Sequence, residues 1–358
     1  MIHKEKNKEV SSQTSNLKIK NKKRDLVKPV IFTSLAPAIV TPAFDTYWKF
    51  AALRQEVFFS RLEKNTPPWS DDPIINQFKF TNAYRASDRV SQYLIKNVIY
   101  GERTSAADLF FRIILFKLFN KIETWELLES QLGEIRLKSY SYKKYEKILS
   151  AAMASGVSIY SAAYIMASGH TMFDVQRKHQ SHLKLLELML AENVPERLSE
   201  CASMRQGFEL LLSYPLIGDF LAYQLITDIN YSELTNFSEM EFTMPGPGAR
   251  DGIRKCFSSL GGLSEMDIIR LMAERQDYEF SRLGIQFKSL WGRKLQLIDI
   301  QNLFCEVDKY SRVKHPELIG ISGRTRIKQK FKHHSETIEY FYPPKWNLNL
   351  FDNISTNR

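Results

Sequence analysis

The spacing of apolar residues is the feature that most constrains what this chain can fold into. From Pro42 onward they recur every three to four positions, the period of one helix face, and no run of strand length alternates every two residues. The first helix carries Trp48 and Phe59 on one face and ends before Pro67. The pattern predicts an all-α fold. Further helices are predicted over 105–120, 124–133, 142–155, 158–168, 178–192, 195–204, 205–213, 218–228, 248–259, 264–283 and 296–306.

The segment after Thr81 separates an apolar from a polar stripe, which predicts a helix with one buried and one exposed face. The apolar stripe is Ala83, Ala86, Val90, Leu94 and Val98, and the polar stripe is Asn82, Arg85, Arg89, Gln92 and Lys96.

With 44% apolar residues in 358, the chain can build a core without disulfides or a structural metal. Cys201, Cys256 and Cys305 form no Cys-x-x-Cys pair and follow no apolar signal sequence. We therefore expect an intracellular protein, cytoplasmic if prokaryotic or viral and nuclear if eukaryotic. The seven histidines lack metal-ligand spacing, so neither a metal nor another cofactor is expected. The apolar stretch 109–119 contains Arg112 and Lys117 and is too short to span a bilayer, which predicts a buried helix and no membrane partner.

The charge balance favours a polyanionic partner such as DNA, because the net charge is +10 and the pI about 9.3. Residues 1–28 hold nine Lys or Arg against three acids and are predicted to be a disordered basic arm, which could contact phosphate or merely solubilise the chain. A helical domain is predicted over 42–320 and a basic tail over 321–358. Residues 312–332, with seven Lys or Arg and one acid, could run along a phosphate backbone.

The segment from Leu216 to Ile253 contains two glycine-marked turns. Gly218 lies between two predicted helices, where backbone N–H groups at a helix start can bind phosphate; an ordinary helix-to-helix turn is the alternative. Gly246 and Gly248 alternate with prolines in a rigid turn that opens a helix and permits close approach to a ligand. The run is not a dinucleotide-binding fingerprint, because no strand precedes it and its spacing differs.

The order of hairpin, helix, loop and glycine-opened helix resembles the helix-hairpin-helix DNA glycosylase superfamily. Two earlier motifs, PWSDDP at 68–73 and FTNAYR at 80–85, more closely resemble the α-glutamyl/putrescinyl thymine pyrophosphorylase family. That family includes the helical domain of phage 5-hydroxymethyl-deoxyuridine DNA kinases. The third motif comprises Asp299, Ile300, Gln301, Asn302, Cys305, Glu306, Lys309, Tyr310 and Arg312, and the resemblance spans roughly residues 45–330.

The resemblance implies an enzyme of thymine hypermodification that acts on a base flipped out of DNA. In the family's proposed reaction, 5-pyrophosphoryloxymethyl-uracil loses pyrophosphate and an amine or amino acid takes its place. A glycosylase instead needs an acid near the start of the helix after the loop, where this chain has 244–248 without one; Glu241 comes too early and Asp251 too late. This favours transfer. A glycosylase that excises a modified base and a non-catalytic DNA-binding module remain the alternatives.

The candidate catalytic residues are acids and one arginine. Asp71 and Asp72 are held between prolines, Asp88 lies in the polar stripe, and Asp228 lies in the helix after the hairpin; any of them could accept a proton from an attacking ammonium. Arg85 is included because it could grip a phosphate or base edge. In the alternative reading, these acids only cap helices or pair with arginine.

The candidate binding residues fall into three groups. Asn82 and Arg89 could grip a phosphate with Arg85, and Arg250 and Arg254 could neutralise a departing pyrophosphate or touch only the DNA backbone. Gln301, Asn302, Glu306, Lys309 and Tyr310 belong to the third motif; the last three share a helix face, and a Lys–Tyr pairing there could be structural. The base-stacking candidates, with the core as their alternative, are Trp69, Tyr84 and Tyr223.

Overall fold

The computed structural model describes residues 36–63, 66–162, 166–332 and 339–348, and the predicted basic arm lies outside these ranges. Within them the fold is all-α, as predicted, with one two-stranded sheet. The strands are β1 (Ile39–Val40) and β2 (Phe257–Ser259). The helices are α1 (Pro42–Leu62), α2 (Pro73–Gln77), α3 (Arg89–Tyr93), α4 (Ala106–Phe119), α5 (Ile122–Leu132), α6 (Tyr142–Ala154), α7 (His170–Phe173), α8 (Lys178–Ala191), α9 (Val194–Ser199), α10 (Met204–Leu212), α11 (Asp219–Ile229), α12 (Pro247–Cys256), α13 (Glu265–Arg282) and α14 (Leu297–Lys314).

Helix α4 is buried at every residue from Phe110 to Phe119, as its apolar sequence predicts. Its Arg112 is buried as well and donates hydrogen bonds to the carbonyls of Asn97, Val98 and Ile135 at 3.0–3.1 Å. A buried guanidinium is stable here because backbone oxygens replace the water it loses. Among the described residues, no helix combines the length and apolarity needed to cross a membrane.

Helices α12 and α14 pack closely because glycines lie between them. A Cβ added to Gly252 would overlap the carbonyl of Phe304. The contact also encloses three charged side chains, Lys255, Asp308 and Arg312, which we call the seam cluster. Lys255 Nζ lies 3.0 Å from Asp308 Oδ1, and Arg312 pairs with Asp308 Oδ2. Each charge is therefore paired within the helix contact, as burial requires.

The segment after Thr81 is not the single amphipathic helix that its stripes predict. It runs through a 3₁₀ turn at Arg85–Ser87, helix α3 and a π-helical segment at Leu94–Ile99. Side chains compete for its backbone: Asp88 accepts a hydrogen bond from Asn82 N at 2.7 Å, which favours a turn over a helix. Arg85 and Gln92, predicted on the exposed stripe, are buried.

The helix predicted over 158–168 is absent from the described part of that stretch, 158–162 and 166–168. Partners outside the stretch take its backbone groups: Thr124 Oγ1 donates to the carbonyl of Ile159 at 2.8 Å, and Ser161 N donates to that of Phe119 at 3.0 Å. These hydrogen bonds replace the backbone hydrogen bonds between residues four apart that a helix needs.

Three further boundaries differ from prediction. Helix α12 ends at Cys256 because Phe257–Ser259 pairs antiparallel with β1, while α9 ends early at Ser199 and α14 continues to Lys314. The described part of the predicted tail packs on the helical domain, where Tyr342 is buried and Ile327 is partly buried.

Candidate functional site

A cavity of about 980 Å³ lies between α1, the 3₁₀ turn with α3, α11, the start of α12, and α14. It brings together residues from all three separated sequence motifs and from the glycine-rich turn. The predicted site residues that line it are Trp69, Asn82, Arg85, Asp88, Arg89, Asp228, Gly246, Gly248, Gln301, Asn302, Glu306 and Lys309.

The described lining of this cavity is strongly cationic. Three acids, Asp88, Asp228 and Glu306, face ten Lys or Arg side chains, so the lining carries an excess of about seven positive charges before any ligand binds. Such a cavity suits a ligand with several phosphate charges. The cationic side chains are Arg54, Arg61, Lys79, Arg85, Arg89, Lys117, Lys309, Lys328, Lys330 and Lys332.

Three buried charges of the cavity contact one another: Arg85, Lys117 and Asp228, which we call the floor cluster. Asp228 Oδ1 lies 2.8 Å from Arg85 Nη1, and Asp228 Oδ2 lies 3.0 Å from Lys117 Nζ. Burial alone would raise the pKa of Asp228, but the two cations hold it below its ordinary value, whereas burial lowers the pKa of Lys117. With all three groups ionised, the cluster presents one net positive charge to the cavity.

Neutral hydrogen-bond acceptors hold the two cations of the floor cluster in place. Arg85 Nε donates to Gln224 Oε1 at 3.1 Å and Arg85 Nη1 to the hydroxyl of Tyr231 at 3.0 Å. Lys117 Nζ donates to Asn120 Oδ1 at 2.7 Å. The cations are therefore oriented before any ligand arrives, which is what electrostatic stabilisation of a developing charge requires.

Asp88 and Glu306 form the acidic side of the cavity. Glu306 Oε2 accepts hydrogen bonds from Thr81 N at 3.0 Å and Lys309 Nζ at 2.8 Å. Burial and, to a smaller extent, the negative charge of Glu306 raise the pKa of Asp88 to about 7 against the opposing effects of the Asn82 N–H, Arg85 and Arg54. Asp88 can therefore gain and lose a proton near neutral pH, as a general base must.

Helix α12 begins at the cavity wall. Gly246 is its N-cap without a side-chain cap, and the first-turn residues Pro247, Gly248 and Ala249 line the cavity. First-turn N–H groups lack partners within their helix and attract anions. Packing also requires glycine at these two positions: a Cβ on Gly248 would overlap Cys305 Sγ, and one on Gly246 would lie 2.6 Å from the Phe220 ring.

Comparison with known proteins identifies the family. The helical domain of 5-hmdU DNA kinases matches residues 41–320. The chain belongs to that family. This confirms the resemblance to the helical domain of phage 5-hydroxymethyl-deoxyuridine DNA kinases that the motifs indicate.

A curated relative, the 5-hmdU DNA kinase of Bacillus phage SP10, is 25% identical over 327 residues, covering 85% of this chain and 50% of the relative. The chain thus spans about half the length of the curated relative it matches. No solved structure matches the chain. A Gly-x-x-x-x-Gly-Lys-Ser/Thr motif, which binds nucleotide phosphates, does not occur in its sequence.

In this member of the 5-hmdU DNA kinase helical domain family, some predicted acidic residues lie outside the cavity. Asp72 caps α2, accepting hydrogen bonds from Ile74 N at 2.8 Å and Ile75 N at 3.0 Å, and it also accepts one from the hydroxyl of Tyr310 at 2.6 Å. Asp71 is exposed beside it and does not line the cavity. The capping alternative therefore describes Asp72, and Tyr310 positions that cap.

Two predicted base-stacking residues also lie away from the cavity. Tyr84 and Tyr223 are each 1% exposed and belong to the core, which is the alternative reading given above. Tyr84 donates to the carbonyl of Arg293, and its ring stacks on Phe287. Both rings are large apolar surfaces that the core buries, so neither can reach an incoming base.

Three of the predicted phosphate-binding residues, Arg250, Arg254 and Gly218, also lie outside the cavity. Arg250 and Arg254 are exposed and face Glu265, with N–O distances of 3.5 and 3.4 Å, and neither lines the cavity. Successive residues of α12 point to different sides, so the helix start faces the cavity while these arginines do not. Gly218 is the N-cap of α11 and is likewise outside the lining, whereas Phe220 two residues later is part of it.

Sequence reasoning missed several lining residues. The sequence does indicate a role for Lys117, because a lysine inside the most apolar helix needs a buried partner. It does not show that this partner is Asp228, which is distant in sequence. Arg54 Nε donates to the carbonyl of Thr81 at 2.9 Å, and nothing in α1 indicated that contact. No group of three or more His, Cys, Asp or Glu able to hold a metal occurs within the described ranges.

Proposed function

We propose that this chain acts on a modified pyrimidine in DNA, replacing the pyrophosphate of 5-pyrophosphoryloxymethyl-uracil by an amine. The observation that carries the proposal is the cationic cavity, whose volume and excess of positive charge suit a flipped nucleotide with a charged 5-substituent. The phage relative is named a 5-hmdU DNA kinase, and this name supports a 5-substituted uracil in DNA as the substrate.

The reaction is a substitution at the exocyclic methylene carbon of the base. The nitrogen lone pair of the amine forms the new C–N bond, the C–O bond to pyrophosphate breaks, and pyrophosphate leaves with that electron pair. The attacking nitrogen loses a proton. The enzyme must therefore stabilise a departing polyanion and accept a proton, and the cavity contains groups suited to each task.

The floor cluster is suited to the departing pyrophosphate. Arg85 and Lys117 together outweigh Asp228 by one charge, and they lie where water is largely excluded, which strengthens their interaction with an anion. The first-turn N–H groups of Gly248 and Ala249 add donors on the adjoining wall.

Asp88 is suited to accept the proton of the amine. It lines the cavity, its backbone partner Asn82 holds one oxygen, and its pKa of about 7 lets it act near neutral pH. Trp69, which lines the same cavity, can contact the face of the flipped base.

The test is to incubate the purified chain with DNA containing 5-pyrophosphoryloxymethyl-uracil and a panel of amines and amino acids. The expected products are inorganic pyrophosphate and a nucleoside whose mass shows the added amine after digestion. An abasic site would instead establish a glycosylase. Salt-dependent DNA binding without any product would indicate a non-catalytic module.

A further inference from the structure

Residues 324–332, which we call the basic strap, carry a cation at every second position. The strap lies in the stretch 318–332, which contains no acid. All five cationic residues are exposed; Arg324 faces Asp251 at 3.5 Å, and the charges of the other four are available to a partner. They are Arg324, Arg326, Lys328, Lys330 and Lys332.

Backbone hydrogen bonds attach the strap to the mouth of the cavity. Lys79 N donates to the carbonyl of Gln329, and Phe331 N donates to that of Gln77, each at 3.0 Å. Phe78 and Lys330 form the antiparallel bridge between these bonds. Because main-chain groups make the attachment, the strap keeps its place when its lysine side chains are changed.

The end of the strap lies at the cavity itself. Lys328, Lys330 and Lys332 are part of the lining, as is Phe331 between them. The Phe331 ring is 37% exposed and makes an edge contact with Trp69, with ring centroids 6.2 Å apart. Cations interleaved with exposed aromatic rings are typical of surfaces that bind single-stranded nucleic acid, since bases stack on the rings while lysines contact phosphates.

We propose that the basic strap binds the single strand next to the nucleotide held in the cavity, with its three lysines on phosphates and Phe331 against a neighbouring base. The inference rests on the proposed function in that DNA is the ligand of the cavity. Continuity with the cavity favours DNA over another polyanion, because the same lysines would contact the flipped nucleotide and its flanking strand.

The test measures the affinity of the full chain for an unmodified single-stranded oligonucleotide over a range of salt concentrations. In the triple variant Lys328→Gln, Lys330→Gln, Lys332→Gln, the slope of log affinity against log salt should become shallower by about 2, since each phosphate contact on a single strand contributes about 0.7. The matched control changes three exposed lysines of α6, which is not part of the cavity, to Gln: Lys143, Lys144 and Lys147.

A second variant tests the aromatic part. Phe331→Ala should weaken binding about tenfold at every salt concentration and leave the slope unchanged, because stacking involves no counterions. Phe331→Leu retains apolar bulk without the ring and should show the same loss. Thermal melting by circular dichroism of every variant establishes that the fold is retained.

Three results would overturn the proposal: an unchanged slope in the strap variant, an equal change in the α6 control, or an equal loss on a blunt duplex of the same length. Binding to unmodified DNA requires no turnover. A shallower slope together with absent amine transfer would therefore support the strap and contradict the proposed reaction, whereas amine transfer with an unchanged slope would do the reverse.

Discussion

The floor cluster and the seam cluster have the same composition of charge but different surroundings. Each contains one aspartate held by an arginine and a lysine, and in each the Lys–Asp distance is 3.0 Å. Asp228 and Asp308 are both almost completely buried, at 0% and 2% exposure. Burial and charge therefore do not distinguish them.

Access to the cavity does distinguish them. Arg85, Lys117 and Asp228 all line the cavity, whereas none of Lys255, Asp308 and Arg312 does. Lys255 Nζ also donates to the backbone carbonyl of Asp308 at 3.1 Å. The charges of the seam cluster therefore pair with groups of α12 and α14 themselves. The difference teaches that a buried ion cluster indicates a ligand site only where a cavity reaches it.

The largest effect should be on stability and should be common to both clusters. Asp228→Asn and Asp308→Asn each leave two buried cations without their anion, which should lower the free energy of unfolding by about 3–5 kcal/mol. Urea denaturation of both variants measures the loss. A small loss for either aspartate would show that water reaches its cations.

Inorganic pyrophosphate should affect the stability of Asp228→Asn and Asp308→Asn differently. It can reach the excess charge of the floor cluster in Asp228→Asn but not the seam cluster in Asp308→Asn, so it should raise the melting temperature of the first variant more. Thermal denaturation with and without pyrophosphate is the measurement. Equal shifts would contradict the distinction drawn from access.

The next effect is on turnover. Asp88→Asn removes the proposed base and should lower the rate of amine transfer about 10²- to 10⁴-fold, the usual contribution of general base catalysis. Asp71→Asn is the matched control, because Asp71 is exposed and outside the cavity. Single-turnover assays on the pyrophosphorylated DNA compare the variants, and a comparable loss in both would remove Asp88 from the mechanism.

The acidic side of the cavity should also determine the pH profile. A base with a pKa of about 7 makes the rate rise as pH increases toward that value. Glu306→Gln removes a neighbouring negative charge that raises the pKa of Asp88, so the acidic limb should move to lower pH by about one unit or less. Rates measured from pH 5 to 9 check the shift. An unmoved limb would mean that another group limits the reaction.

The smallest effect is a gain in stability at the cavity. The pKa of Asp88 is raised from 3.8 to about 7 on folding, so its contribution to stability is fully present below pH 3.8 and is lost as pH rises through 7. Asp88→Asn should therefore be more stable than the natural chain at pH 8, by about 1 kcal/mol after solvent screening, and not at pH 3.5. Denaturation at both pH values tests this, and no gain at pH 8 would contradict it.

Most helices could be predicted because their apolar period is local information. Helices α4 and α13 follow their sequence closely, whereas α14 continues eight residues past its predicted end. The exceptions are segments in which distant groups satisfy the backbone, such as Phe119 and Thr124 around 159–161. The β1–β2 pairing is of the same kind, since strands so short show no period.

The candidate site likewise contains residues that local sequence identifies and residues that only tertiary packing brings together. Asn82, Arg85 and Glu306 lie in motifs that a resemblance can identify, and all three line the cavity together with Asp88, which follows the second motif. Residue type alone did not separate Asp72, a helix cap, from Asp88, because either carboxylate can accept a hydrogen bond from the backbone. The pairing of Lys117 with Asp228 depends on tertiary packing and could not be found from spacing.

The glycine contact between α12 and α14 sets the width of the cavity. With Gly252 against the backbone of Phe304 and Gly248 against Cys305, the two walls cannot approach further, and moving them apart would expose the seam cluster. The distance between the start of α12 and the third motif is therefore fixed, and it limits the size of the ligand that the cavity can hold. Accommodating a bulkier base substituent would require trimming a lining side chain such as Phe220 rather than shifting a helix.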